Sequence, residues 1–196
     1  MRVAGLLLAA GAGRRYGSPK ALVVERGQSW LARSVRALAE GGCTDVSVVL
    51  GADADAAREL MADQDLMGWV NVIVAEDWRE GMSASLRSGL TALHGTQASA
   101  VVVTLVDLLD VGPEVVARLG GRFDETTLRR ASYDGKPGHP VVLGRDHWAA
   151  IIDTASGDVG ARDYLAMHAV EVVECGDLAT GTDQDRPQGQ PGANRT

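Results

Sequence analysis

Val3-Ala-Gly-Leu-Leu-Leu-Ala-Ala-Gly-Ala-Gly-Arg-Arg-Tyr-Gly-Ser-Pro-Lys20 is the stretch whose reading decides the fold. Its apolar part, 3–8, has strand length and does not alternate with polar residues, the pattern of a strand covered on both faces of a parallel sheet. The strand runs into Gly11, Gly13 and Gly17. Glycine lets the backbone approach a ligand closely and turn its N–H groups inward, which makes a concavity for an anion. Arg14 and Arg15 supply planar forks for phosphate oxygens, and Lys20 supplies a compact charge on a flexible stem. The alternative is a tight strand-to-helix turn with surface basic residues, but three cations gathered on one loop favour a phosphate site. Arg2 and the apolar run after it also resemble a short secretory leader. The run breaks into Gly11-Ala12-Gly13-Arg14-Arg15 at the short limit for such a segment, so it is read as a buried strand.

Outward from this stretch, the same grammar repeats. Strand-length apolar runs lie at 45–50, 70–75, 100–106, 140–143 and 169–174, with 128–133 as an additional edge strand. Helical patterns fill 30–39, 53–62 (with Asp53 as N-cap), 82–93, 113–119, 146–154 and 160–167. The alternation predicts an α/β fold, a Rossmann-like three-layer sandwich with a mostly parallel sheet. One domain over 1–185 is expected. A disordered tail is expected over 186–196, where Pro, Gly and Gln replace large apolar residues. In such sheets ligands sit beyond the carboxyl ends of the strands, after Leu8, Leu50, Ala75, Val106 and Leu143.

The chain has 196 residues and a formal net charge of −7, so no global field draws it to nucleic acid or to a membrane surface. No stretch approaches the ~18 apolar residues of a membrane span. Cys43 and Cys175 show no ligand spacing and read as thiols of a reducing compartment, so a cytoplasmic location is expected. His94, His147 and His168 show no ligand spacing either. Trp30, Trp69, Trp78 and Trp148 read as packing residues.

Two ligands suit the loop. Gly11-x-Gly13-x-x-x-Gly17 is a variant of the dinucleotide fingerprint and could cradle the pyrophosphate of NAD(P)H, with Arg14 or Arg15 on a 2′-phosphate. The usual acidic partner about 20 residues on is not cleanly present. A longer loop ending in its own lysine suits a nucleoside triphosphate better.

The segment from Leu8 to Lys20 resembles the LAAGxSxRMGxxK signature of the molybdenum-cofactor nucleotidyltransferases, a branch of the sugar-nucleotide transferase superfamily. Gly81-Met-Ser-Ala-Ser-Leu-Arg-Ser-Gly-Leu90, Gly138-His-Pro140 and Gly157-Asp-x-Gly-Ala-Arg162 resemble three further segments of its cytidylyltransferase branch. The resemblance implies the nucleotide-diphospho-sugar transferase type of fold. It also implies joining of NMP, from CTP rather than GTP because Ala10 stands in the loop, to a phosphorylated molybdopterin-type cofactor. Lys20, Arg14 and Asp107 are then the catalytic residues, and Ala10, Gly11, Ala12, Gly13, Arg14 and Lys20 bind the nucleotide. Asp107, directly after the strand 100–106, and Asp185 are the implied Mg²⁺ ligands, with Asp183 the alternative second carboxylate. Implied partners are the nucleotide, the pterin, and a molybdenum enzyme or its chaperone.

His139 is implied beside the acceptor. Ser83 and Ser85 either donate to substrate or cap a helix, and Asp158 with Arg162 either touches substrate or forms a capping ion pair. Tyr16, Leu109 and the residues after Asp185 depart from the family pattern. Relatives in the same branch are described as NAD(P)H-dependent oxidoreductases acting on a quinone-like pyridine pigment, nicotine blue. The eroded final segment matters less to that chemistry.

Overall fold

The continuous apolar runs become the strands of one seven-stranded sheet, because only a sheet covered on both faces hides side chains that point alternately up and down. The computed structural model describes residues 2–121 and 123–186. In chain order the elements are β1 (Arg2–Ala9), a short hairpin of β2 (Val24–Glu25) and β3 (Gln28–Ser29), α1 (Trp30–Glu40), β4 (Asp45–Leu50), α2 (Ala54–Asp63) and β5 (Val70–Val74). There follow α3 (Met82–Leu93), β6 (Ala98–Leu105), α4 (Pro113–Leu119), β7 (Leu128–Tyr133), β8 (Lys136–Gly144), α5 (Trp148–Thr154), α6 (Arg162–Ala166) and β9 (Glu171–Glu174). The large sheet runs β5-β4-β1-β6-β8-β7-β9. All its neighbours pair in parallel except at β8, which is antiparallel to both β6 and β7.

Alternation sorts each strand into two cores. Leu7, Val48 and Val102 face α1, α2 and α4, whereas Leu6, Leu8, Val101 and Val103 face α3, α5 and α6. Leu6 and Leu7 are completely buried, each stabilising the fold by roughly 1.5–3 kcal/mol. Helix α1 starts where the Ser29 hydroxyl accepts from the Ala32 N–H at 3.0 Å, and it packs on α4 so closely that a side chain on Gly41 would strike Val116.

Four expectations need correction. Segment 140–143 is the core of a longer strand, β8, folded back on β7 through Asp134 and Gly135. Both of these adopt positive φ (51° and 74°), as a two-residue hairpin turn requires. That hairpin, with β9 beyond it, moves 128–133 from the edge to the inside of the sheet. Asp53 has φ 52° and makes no capping hydrogen bond, since a left-handed residue aims its carboxylate away from the helix amides. The last two helices are shorter than their patterns suggested: 145–147 is a 3₁₀ turn before α5, and α6 covers only 162–166. The expected tail lies, after Arg186, outside the described residues.

Candidate functional site

The parallel strands β5, β4, β1 and β6 end on one rim, and the loop after β1 forms its floor. Gly13 has φ 60°, and a Cβ there would collide with the Ser18 carbonyl, so the turn requires glycine. Gly17 closes the loop with its N–H on the Gly13 carbonyl at 2.8 Å. The N–H groups of Gly11, Ala12 and Gly13 bond to no backbone carbonyl among the described residues, and Arg14 has no carboxylate partner there. Ala10 to Arg14, Lys20, Ser85 and Asp107 line a cavity of about 360 Å³ above this loop.

A second cavity, of about 480 Å³, adjoins it. The two share Leu8, Met82, Leu105, Asp107 and Asp158, so they form one cleft with Asp107 at the junction. His139, Arg130, Arg162, Asp183 and Asp185 line the second part.

The carboxylates converge there. Lys20 donates from Nζ to Asp107 Oδ2 at 2.7 Å and to Asp185 Oδ1 at 2.8 Å, and Arg15 donates to Asp185 Oδ2 at 3.0 Å. Burial acts to lower the Lys20 pKa, but the hydrogen bonds and charges of Asp107 and Asp185 outweigh it and leave the ammonium above its ordinary value. The Lys20 hydrogen bond, and then that of Arg15, hold Asp185 below the usual carboxylate range. Asp107, Asp183 and Asp185 each bring an oxygen within 4.8 Å of the others. Asp107 Oδ1 is buried and has no partner among the described residues. A hard cation takes several oxygen ligands, so a carboxylate cluster with one buried unused oxygen fits a divalent metal.

Asp183 and Asp185 reach Asp107 because 180–185 is strapped across the rim. Asp110 Oδ2 accepts from the Thr180 N–H and hydroxyl, both at 2.6 Å. Gln184 N–H donates to the Asp107 carbonyl at 3.0 Å.

Other singled-out residues fall variously. Ser85 lines the first cavity. Ser83 is fully buried away from both cavities, and its hydroxyl accepts from the Gly160 N–H at 3.1 Å, tying the start of α3 to the 157–160 loop. Asp158 caps instead of pairing with Arg162, accepting from the Met82 N–H at 3.3 Å. Burial, then Arg130 and Arg162, push the His139 imidazole down to about 4, and the Tyr133 hydroxyl donates to the His139 carbonyl at 2.6 Å.

Sequence reasoning missed Trp78 and Arg79. Both line the first cavity, with the Arg79 guanidinium stacked 4.5 Å from the centre of the indole ring. Trp78 is thus a cavity wall as well as a packing residue. The signal was present, since the segment follows the carboxyl end of β5, one of the places where ligands are expected.

A glycine-rich loop and a carboxylate cluster on the rim of this sheet give the form of a nucleotide-binding α/β domain. The chain belongs to the MobA-like NTP transferase domain family, which it matches over residues 5–172. It is 35% identical to the nicotine blue oxidoreductase of Paenarthrobacter nicotinovorans, across 93% of this chain and 92% of the relative. It is 31% identical to the molybdenum cofactor guanylyltransferase of Rhodobacter capsulatus, across 78% of this chain and 68% of the relative. Among solved structures, Rv0371c from Mycobacterium tuberculosis H37Rv superposes with TM-score 0.76 at 26% identity, covering 89% of this chain and 88% of that one. A complex of Rv0371c with manganese superposes with TM-score 0.74 at 24% identity, covering 94% of each. The fold is therefore of the nucleotide-diphospho-sugar transferase kind. No helix among the described residues is long and apolar enough to cross a membrane.

Proposed function

We propose that this protein transfers CMP from CTP to a phosphorylated, molybdopterin-type acceptor and releases pyrophosphate. The observation that carries the reading is the two-part cleft meeting at Asp107, with the phosphate loop on one side and a second cavity on the other. The free N–H groups of Gly11 to Gly13 and the guanidinium of Arg14 hold the triphosphate, and Lys20 offsets charge on the departing phosphates. An acceptor phosphate oxygen attacks the α-phosphorus, and the bond from that phosphorus to the bridging oxygen breaks. Pyrophosphate leaves with the bonding electrons. The acceptor arrives ionised, so no side chain needs to act as nucleophile or base, and positioning supplies most of the rate. Asp107 and Asp185, with Asp183 beside them, would hold a divalent cation, expected to be Mg²⁺, whose chemistry is to neutralise the phosphates. The manganese complex of Rv0371c supports a divalent ion in this setting. The expected consumer of the product is a molybdenum enzyme or its chaperone.

The extended likeness to a nicotine blue oxidoreductase favours a second reading, in which the same loop holds the pyrophosphate of NAD(P)H and hydride passes to a quinone-like ring. Guanylyl transfer, suggested by the Rhodobacter capsulatus relative, is the third. Melting curves with Mg·CTP, Mg·GTP, NADH and NADPH separate them. A ligand at 100 times its Kd adds about 2.7 kcal/mol, which is roughly 5–10 °C at this size. A Mg²⁺-dependent shift with CTP alone, with pyrophosphate release that vanishes in Asp107→Asn, is the expected result. A shift with NADPH and none with triphosphates transfers the assignment to the oxidoreductase.

A further inference from the structure

An arginine cannot shed its charge on burial, so the half-buried Arg130, facing one cavity with the exposed Arg162 and without a carboxylate partner among the described residues, suits an anion. The part-buried guanidinium groups of Arg87 and Arg129, and that of Arg118, each find a carboxylate. Arg130 and Arg162, both lining the second cavity, have no ion-pair partner among the described residues. The Arg130 Nε is buried with no acceptor, and the closest hydrogen-bonding contact of that side chain is a 3.5 Å approach to the Gly138 carbonyl. Burial, and then the charge of Arg162, push the Arg130 guanidinium below its ordinary range. Asp158, Asp183 and Asp185 line the same cavity, yet none pairs with either arginine. An oxyanion taken in a two-point grip would offset the like charges and give the Arg130 Nε an acceptor.

Strand register sets the backbone of Arg130 back from the junction of the cleft, and its guanidinium reaches along β8 toward Gly138. Arg130 lies opposite Val141, and Val141 opposite Val103, four residues before Asp107. At ~4.8 Å per strand and ~3.3 Å per residue, the Cα positions of Arg130 and Asp107 are on the order of 15 Å apart. Leu86, Val103, Val141, Leu143 and Leu165 give the cavity apolar walls. We infer that this cavity takes a ligand that packs on these apolar walls and carries an oxyanion, phosphate or carboxylate, bound between Arg130 and Arg162. Calling this ligand the nucleotidyl acceptor rests on the proposed function; the oxyanion site does not.

Inorganic phosphate and benzoate, titrated separately at constant ionic strength and followed by backbone amide NMR, test the inference. In the wild type both ligands produce saturable shifts at Gly138, His139, Gly160 and Arg162, with benzoate binding more tightly than acetate because the ring meets the apolar walls. Arg130→Met and Arg162→Met each weaken this binding at least ten-fold, and neither lowers the melting temperature measured without added phosphate or carboxylate. Wild-type amides that do not saturate, or unchanged affinity in both variants, overturn the site. So does a melting temperature that drops by several degrees in both, which would mark the arginines as structural. The amides of Gly11 to Gly13 report phosphate at the loop independently, so failure of the nucleotide reading and failure of this one are distinguishable.

Discussion

Replacing Lys20 with methionine keeps the length of the side chain and removes the cation that bridges Asp107 and Asp185. The bridge spans 2.7 Å on one side and 2.8 Å on the other, and the Lys20 and Asp107 side chains are only 14% and 16% exposed. Without the ammonium, carboxylate oxygens within 4.8 Å of each other repel. At an effective dielectric constant of about 20 that repulsion is about 3.5 kcal/mol. Asp185 is 38% exposed, so water and rotation of the side chain relieve part of it, and a net loss of about 2 kcal/mol remains. That corresponds to a fall of about 4–8 °C in melting temperature. A divalent cation neutralises the same oxygens. Millimolar Mg²⁺ or Mn²⁺ should therefore raise the melting temperature of Lys20→Met more than that of the wild type, in which Lys20 competes for the site. Scanning calorimetry of both proteins with EDTA and with each metal measures this directly. Equal metal responses, or an unchanged melting temperature in the variant, would refute the claim that Lys20 holds a repulsive carboxylate pair together.

The remaining predictions concern the loop, the strap and the second cavity. Gly13→Ala forces a side chain onto a residue at φ 60° and into the Ser18 carbonyl; the expected cost is about 1–3 kcal/mol, with triphosphate affinity reduced in a titration. Asp110→Ala frees Thr180 and so loosens the strap without touching any carboxylate of the cluster. By analogy with residues that orient metal ligands, Mn²⁺ affinity should fall roughly 10–100-fold, readable from the paramagnetic signal of free ion. His139 is held near 4 in the folded protein against 6.5 in the unfolded chain, so between those values the unfolded state binds more protons. Stability should drop as pH falls through that window, by up to about 3 kcal/mol, and His139→Gln should flatten this part of the acid-denaturation profile.

Much of this architecture is legible in the chain because each local pattern agrees with the global one. The run 45–50 is the strand β4, and the apolar spacing of 82–93 matches α3 residue for residue. The β7–β8 hairpin was harder to read. Its turn, Asp134-Gly135, is a plain signal, but β8 begins Lys-Pro-Gly-His and shows no apolar run until Pro140. Arg129 and Arg130 likewise interrupt β7. Arg130 borders the second cavity, as do Pro137, Gly138 and His139, whereas Arg129 pairs with Glu171 on the other face. In the site, the loop and Asp107 can be read from a strand followed by glycines and a strand followed by an acid. The ties of Lys20 to Asp185 and of Ser83 to Gly160 cannot, because they join residues 165 and 77 positions apart that only the closed fold brings together.

That separation gives the site an order of assembly during synthesis. The glycine loop follows the first strand made, whereas the carboxylate that pairs with its lysine is 165 residues further along the chain. At roughly 5–20 residues per second, on the order of 10–30 s pass between the appearance of Lys20 and that of Asp185. Until β6 is made, β1 lacks one of its two sheet neighbours, and throughout the interval Lys20 lacks at least one of its two carboxylate partners. The strap over 180–185 is thus the last segment of the site to arrive. A chain that stalls or is cut before it has the glycine loop but Asp107 alone of the three carboxylates.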